Sequence, residues 1–214
     1  MKYVFFDLDG TLTDPFLGIT NSVIYALEKM GYPHGKNGEY RLFIGPPLRE
    51  SFRLKCGMTP KEAERAIALY REYFSPIGIF ENRVYDGIPE MLEKLKNDGY
   101  TLILATSKPE VYAKRILEKF DLMKYFSGVF GSELDGTRDR KDEVIAYALD
   151  VLGAMARDVL MVGDRLHDVL GAAAHGIKTV GVLYGYGGEK ELSEAGAVAL
   201  AADAKELYKC IKQV

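Results

Sequence analysis

Short, unbroken apolar runs alternate with amphipathic stretches along most of the chain. Residues 3–8, 100–106, 129–130 with their neighbours, 159–163, 179–183 and 198–201 read as strands. Most are apolar at every position rather than at every second one, the pattern of parallel strands covered on both faces. The stretches between them carry helix punctuation. Pro89 opens a helix over 88–97 and Gly99 follows its end, while Pro109 lies in the first turn of a helix running to about Phe120, with Ser107 as its cap. Strand and helix in alternation predict an α/β fold with a doubly wound parallel sheet.

One stretch breaks the alternation. From Phe16 to about Phe80 the periodicity is helical: Ile19, Val23, Ala26, Leu27 and Met30 form one stripe, and Ala63, Ala66, Ile67, Tyr70 and Phe74 form another. Pro46-Pro47 and Thr59-Pro60 mark helix starts between them. This is more helix than a crossover needs, although an ornate crossover is the bland alternative. The pattern predicts a helical domain over 16–81, entered near Asp14-Pro15, inserted into a core made of 1–15 and 82–214.

Composition narrows the function classes. The chain has 214 residues, with 28 Lys and Arg against 31 Asp and Glu, a net charge of -3 that argues against coating a nucleic-acid polymer or an anionic membrane. The opening apolar run is too short for a signal peptide, and no stretch reaches the roughly 18 apolar residues of a membrane span. Two cysteines, Cys56 and Cys210, lie far apart without metal or redox spacing, so a reduced, cytoplasmic protein is expected. Oligomeric state leaves no mark in the sequence.

Candidate chemistry gathers where the strands end. Ligands of an open parallel sheet bind beyond the carboxyl ends of its strands. After the first strand come Asp7, Asp9, Gly10, Thr11, Thr13 and Asp14; after the second, Thr106, Ser107 and Lys108; after the third, a charged loop over 132–141; after the fourth, Asp164, Arg165 and Asp168. Single acids and hydroxyls after strands are common turn residues, but four clusters at one sheet edge are harder to dismiss. Asp7 and Asp9 point to one side of an extended segment, and Asp164 would add a third carboxylate, a hard oxygen set suited to Mg2+. One carboxylate can then act as nucleophile while its neighbour manages protons. Gly10 lets the backbone turn and present N–H groups to an anion, and Thr106, Ser107 and a lysine would hold phosphate oxygens. These parts describe phosphoryl transfer through an aspartyl-phosphate.

Asp7-Leu8-Asp9-Gly10-Thr11-Leu12-Thr13-Asp14 resembles the first motif of the haloacid dehalogenase-like hydrolases, and Leu104-Ala105-Thr106-Ser107-Lys108-Pro109 the second. Lys141 resembles the third-motif lysine, and Val162-Gly163-Asp164-Arg165-Leu166-His167-Asp168 the fourth. The stretch over 163–171, with Gly181-Val182-Leu183-Tyr184-Gly185-Tyr186-Gly187, is similar to the phosphoglycolate phosphatase-like branch. The resemblance implies a Rossmann-like core with an inserted α-helical cap domain. It implies that Asp7 attacks phosphorus and that Asp9 protonates the leaving alkoxide, then deprotonates the hydrolytic water. It implies Mg2+ held by the Asp7 carboxylate, the Asp9 carbonyl and Asp164, with Asp168 holding waters or Lys141 behind them. Thr106, Lys141 and the backbone of Leu8 and Ser107 would hold the phosphate. The third motif often reads Lys-Pro, whereas Asp142 follows Lys141 here.

The substrate expected on this reading is a small phosphorylated metabolite resembling phosphoglycolate, with a 5'-nucleotidase or broad sugar phosphatase as the alternative. A phosphomutase, which returns the phosphoryl group to another hydroxyl, and a receiver-like phospho-acceptor are the further alternatives. In a receiver the acid pair is adjacent, whereas Asp9 stands two residues from Asp7 and a cap is present, which favours turnover. Arg49, on the rigid turn after Pro46-Pro47, is the candidate for contacting an anionic substrate group, with a plain surface arginine as its rival. His167 reads as a helix-start residue rather than a ligand, and Tyr184 to Gly188 as a mobile loop beside the site, since the G-x-G-x-x-G spacing is not met.

Overall fold

The computed structural model describes residues 2–35 and 37–214. In chain order the elements are β1 (Tyr3–Phe6), β2 (Thr13–Asp14), α1 (Phe16–Met30), α2 (Leu48–Cys56), α3 (Pro60–Phe74), β3 (Arg83–Val84), α4 (Ile88–Asn97), β4 (Thr101–Pro109) and α5 (Glu110–Lys119). There follow β5 (Gly128–Ser132), α6 (Lys141–Leu152), β6 (Val159–Gly163), α7 (Leu166–Ala173), β7 (Lys178–Val182), α8 (Glu189–Ala195), β8 (Ala199–Ala201) and α9 (Ala204–Gln213). Six strands form one sheet in the order β5-β4-β1-β6-β7-β8, with every described pairing parallel. This is the α/β fold expected, with a helical region inserted after β1 and β2.

Alternate side chains of each strand serve opposite faces. Phe5, Ile103, Ala105 and Met161 join Val144, Ile145 and Ala148 of α6 and Ala172 of α7 in one apolar cluster. Their strand neighbours Val4, Phe6, Leu102, Leu104, Leu160 and Val162 are equally buried outside it. Both faces are therefore covered, which is why the strands read as unbroken apolar runs.

The chain divides into two compact units, Met1–Asp14 with Val84–Val214, and Pro15–Arg83. In the second unit the stripe of α3, Ala63, Ala66, Ile67, Tyr70 and Phe74, is wholly buried, as is that of α1 apart from the half-buried Met30. α3 begins in a capping box: Thr59 Oγ1 accepts the Glu62 N–H, and the Glu62 carboxylate accepts the Thr59 N–H at 2.9 Å. Among the described residues no helix is long and apolar enough to cross a membrane.

One local expectation is corrected. Ser107 caps nothing: β4 runs on to Pro109, which is the N-cap residue, without a side-chain cap bond, of a helix that starts at Glu110. β2 and β3 pair as a separate two-stranded sheet that the sequence did not announce, because two residues per strand leave no periodicity.

Candidate active site

The strand order reverses at β1, whose neighbours β4 and β6 lie on either side, and ligands collect at such a switch beyond the carboxyl ends. Asp7 follows β1 directly, its N–H held by the Val162 carbonyl of β6 at 2.9 Å. The chain then curls on itself: the Leu8 carbonyl accepts the N–H groups of Thr11, Leu12 and Thr13 at 3.2, 2.9 and 3.0 Å. Gly10 makes the curl possible. Its φ is +87°, and a Cβ there would stand 2.1 Å from Asp164 Oδ2. β1 therefore ends at Phe6, two residues before its apolar run does.

Lys141, the first residue of α6, reaches back under the strand ends. An ammonium has three protons, and its partners are Asp7 Oδ1 at 2.7 Å, Asp168 Oδ1 at 2.8 Å and the Ala105 carbonyl at 3.0 Å. Burial alone would pull Lys141 toward the neutral amine, but the Asp168 and Asp7 carboxylates outweigh it and hold its pKa well above the ordinary lysine range. Asp168 has both oxygens engaged, since Oδ2 accepts the Arg165 N–H at 3.1 Å. Its carboxyl is raised by burial, against the pull of Lys141.

Asp164, fully buried after β6, has among the described residues only neutral donors: the Tyr186 N–H at 2.8 Å on Oδ2 and the Thr11 hydroxyl at 3.4 Å on Oδ1. Burial first, then the charges of Asp168 and Asp7, push it well above the usual carboxylate range. Asp7, Asp164 and Asp168 bring carboxylate oxygens within 4.8 Å of one another. With all three ionised against one ammonium the cluster would carry an excess of two negative charges, which an oxygen-ligated divalent cation would neutralise. The donor set of Asp7, Asp164 and Asp168 thus fits a hard cation.

Asp9 is held apart from this cluster. Its Oδ2 pairs with the Lys108 ammonium, while Oδ1 is buried with no hydrogen-bond partner. Burial raises the Asp9 carboxyl more than Lys108 lowers it. Thr106 is buried at the same edge, its Oγ1 accepting the Lys108 N–H at 3.3 Å, and the Ser107 carbonyl accepts the Ser132 hydroxyl at 2.9 Å.

The structure therefore gathers Asp7, Asp9, Gly10, Thr106, Lys141, Asp164 and Asp168 at one sheet edge. Arg49 belongs to the helical unit, on α2, where its guanidinium pairs with Glu64. His167 is the second residue of α7. The loop over 184–188 is more tightly built in than a mobile flap. The Tyr186 N–H holds Asp164, the Gly187 N–H holds the Asp164 carbonyl at 3.1 Å, and the Tyr184 hydroxyl donates to the Thr11 carbonyl at 3.0 Å. A Cβ on Gly185 would stand 2.3 Å from that of Asp164. Neither this support nor the Lys108–Asp9 pair follows from the hydrophobic pattern of the sequence. The signal available was the glycine spacing of the loop and the cation two places after Thr106.

The match to a family model for haloacid dehalogenase-like hydrolases spans residues 4–182. The chain is 46% identical over 209 residues to a 5'-nucleotidase of Pseudomonas aeruginosa, covering 98% of this chain and 95% of that protein. It is 28% identical to phosphoglycolate phosphatase 1 of the same organism, covering 99% of this chain and 80% of the relative. A crystal structure of a predicted phosphatase from Clostridium acetobutylicum superposes with a TM-score of 0.97 at 45% identity, covering 100% of this chain and 99% of that one.

Proposed function

The chain belongs to the haloacid dehalogenase-like hydrolases and is a phosphomonoester hydrolase, and from that premise we propose that it is a Mg2+-dependent phosphatase of nucleoside 5'-monophosphates that works through a phosphorylated Asp7. The observation that carries the reading is the division of labour among buried acids: Asp7 fixed by Lys141 beside Asp164, and Asp9 kept outside that cluster with one unpartnered oxygen. The substrate class departs from the phosphoglycolate-like expectation. What supports the change is the contrast between 46% identity to a 5'-nucleotidase and 28% to a phosphoglycolate phosphatase, each over nearly the whole chain.

Mg2+ held by the Asp7 carboxylate, the Asp9 carbonyl and Asp164 would offset the charge that the acids and an incoming phosphate share. Lys141 locks the Asp7 carboxylate in place for attack on phosphorus. With all three of its protons on protein acceptors, it acts on the phosphate as charge rather than as donor. Thr106 and the backbone N–H groups of Leu8 and Ser107 receive the phosphate oxygens, whereas the Gly10 N–H, expected to join them, already donates to the Thr13 carbonyl at 2.7 Å. As the bond from phosphorus to the leaving oxygen breaks, that oxygen takes the proton of Asp9. Asp9, now a carboxylate, then takes a proton from the water that attacks the acyl phosphate, and phosphate and Asp7 are released.

The test is phosphate release from nucleoside 5'-monophosphates, 2-phosphoglycolate, sugar phosphates and p-nitrophenyl phosphate, with Mg2+ and with EDTA. Turnover is expected with Mg2+, highest kcat/KM on a nucleoside monophosphate, and none in Asp7→Asn. A higher kcat/KM on 2-phosphoglycolate would overturn the substrate assignment, and full activity in Asp7→Asn the mechanism.

A further inference from the structure

We infer that Lys108 is the positioning residue of the proton-transfer step: it holds Asp9 by Oδ2 and so reserves Oδ1 as the oxygen that exchanges a proton with the leaving group and with water. The inference rests on the reading of Asp9 as general acid and base given above, and deepens it.

Three observations carry it. Lys108 Nζ pairs with Asp9 Oδ2, and the two side chains are only 6% and 11% exposed. Asp9 Oδ1 is buried and has no hydrogen-bond partner. The strand also slips in register where Lys108 stands: β4 pairs regularly with β5 as far as Ala105 opposite Phe130, and pairing resumes only at Pro109 opposite Ser132. A slip of this kind re-aims the side chains within it. Thr106 Oγ1, accepting the Lys108 N–H, and the Ser132 hydroxyl, donating to the Ser107 carbonyl, hold the slipped segment.

The chemistry follows from the donor inventory. An ammonium only donates, so the Asp9 oxygen that faces it can only accept, and the proton of the neutral acid resides on the other. A free carboxyl interchanges its two oxygens by rotation. A buried ammonium donor on one of them removes that freedom and keeps the acidic oxygen in one place, the condition for efficient proton transfer. As phosphorus transfers to Asp7 and its bond to the ester oxygen breaks, the Oδ1 proton moves to that oxygen. In the second half, the oxygen of water bonds to phosphorus, the bond to Asp7 breaks, and the proton of water moves to Oδ1.

The experiment measures kcat/KM, which reports the steps through transfer to Asp7, for the parent enzyme, Lys108→Met, Lys108→Arg and Asp9→Asn. The substrates are phosphate esters whose leaving groups run from p-nitrophenol to an unactivated alcohol. Lys108→Met is expected to lose about 10²-fold on the alkyl esters, where a proton must be supplied, and less than about threefold on p-nitrophenyl phosphate, where it need not be. Lys108→Arg keeps a donor-only cation and is expected to recover most of the alkyl loss. Equal losses across the whole series, or a rise in KM alone, would make Lys108 a phosphate or folding residue and overturn the inference. Asp9→Asn separates the two layers. An unchanged leaving-group dependence in that variant sinks the reading of Asp9 itself, whereas a steeper dependence in Asp9→Asn without one in Lys108→Met leaves Asp9 in place and removes Lys108.

Discussion

Asp164 and Lys141 sit in the same buried cluster, yet their removal should act in opposite directions. Asp164 is a carboxylate without a cationic partner on its own oxygens, pushed well above the usual range by burial and by two neighbouring acids. Asp164→Asn is therefore expected to stabilise the metal-free protein, and to abolish the rise in Tm that Mg2+ gives the parent. Lys141 compensates Asp7 and Asp168 together. Lys141→Met leaves both acids buried without it and should destabilise by about 3–5 kcal/mol. Urea unfolding with EDTA and with Mg2+ checks both, and a metal-free Asp164→Asn less stable than the parent would refute the electrostatic account. At this scale the sequence was informative where a residue's place in a motif fixes its chemistry: Asp7, Asp164, Asp168 and Lys141 do meet. It places Lys108 at the strand end but gives it no partner, because the apolar run of β4 stops at Thr106 and gives no sign that the strand slips in register and continues. It also implies Lys141 as a holder of phosphate, whereas the three protein acceptors around its protons leave it to act there by charge.

Elements were legible in proportion to how much of their length is buried in one period. α4 was read to the residue from its proline and glycine, and the α3 stripe lies wholly inside its own unit. Two-residue strands and the loop over 184–188 were not legible, because neither has a period. The loop does its work through backbone N–H groups that any sequence possesses, and only its glycines betray the close approach. Gly185 tests this. A methyl group there meets Asp164 Cβ at 2.3 Å and the Gly10 carbonyl at 2.4 Å, so Gly185→Ala must lift the loop from Asp164 or displace Asp164 itself. Loss of such support typically weakens a metal site by about 10–100-fold, and calorimetric titration with Mg2+ should find a loss in that range. Tyr186→Phe removes only the hydroxyl that donates to Asp14 and keeps the N–H on Asp164. Its Mg2+ affinity should stay near the parent's, and a loss equal to that of Gly185→Ala would mean that the side chain, not the backbone, holds the acid.

The molecule as a whole separates its charge chemistry from much of its helix. Asp7, Asp9, Lys108, Lys141, Asp164 and Asp168 all belong to the sheet unit, Met1–Asp14 with Val84–Val214, whereas Pro15–Arg83 has its own buried stripes on α1 and α3. A ligand that binds only the native form of one unit stabilises that unit by RT ln(1 + [L]/Kd), about 2.7 kcal/mol at 100 Kd. Where compact units open separately, hydrogen exchange reads each opening on its own. Mg2+ at that concentration is thus expected to slow exchange in β1, β4 and β6 by close to 100-fold, the factor by which binding lowers their open fraction, and to leave α1 and α3 within about threefold of their metal-free rates. The comparison with Asp164→Asn makes the result specific, since that variant should lose the Mg2+ effect on the strands and change nothing in the helices. Equal slowing in both units would mean that they open as one cooperative body, in which case the helical unit draws its stability from the acids of the sheet as well as from its own apolar stripes.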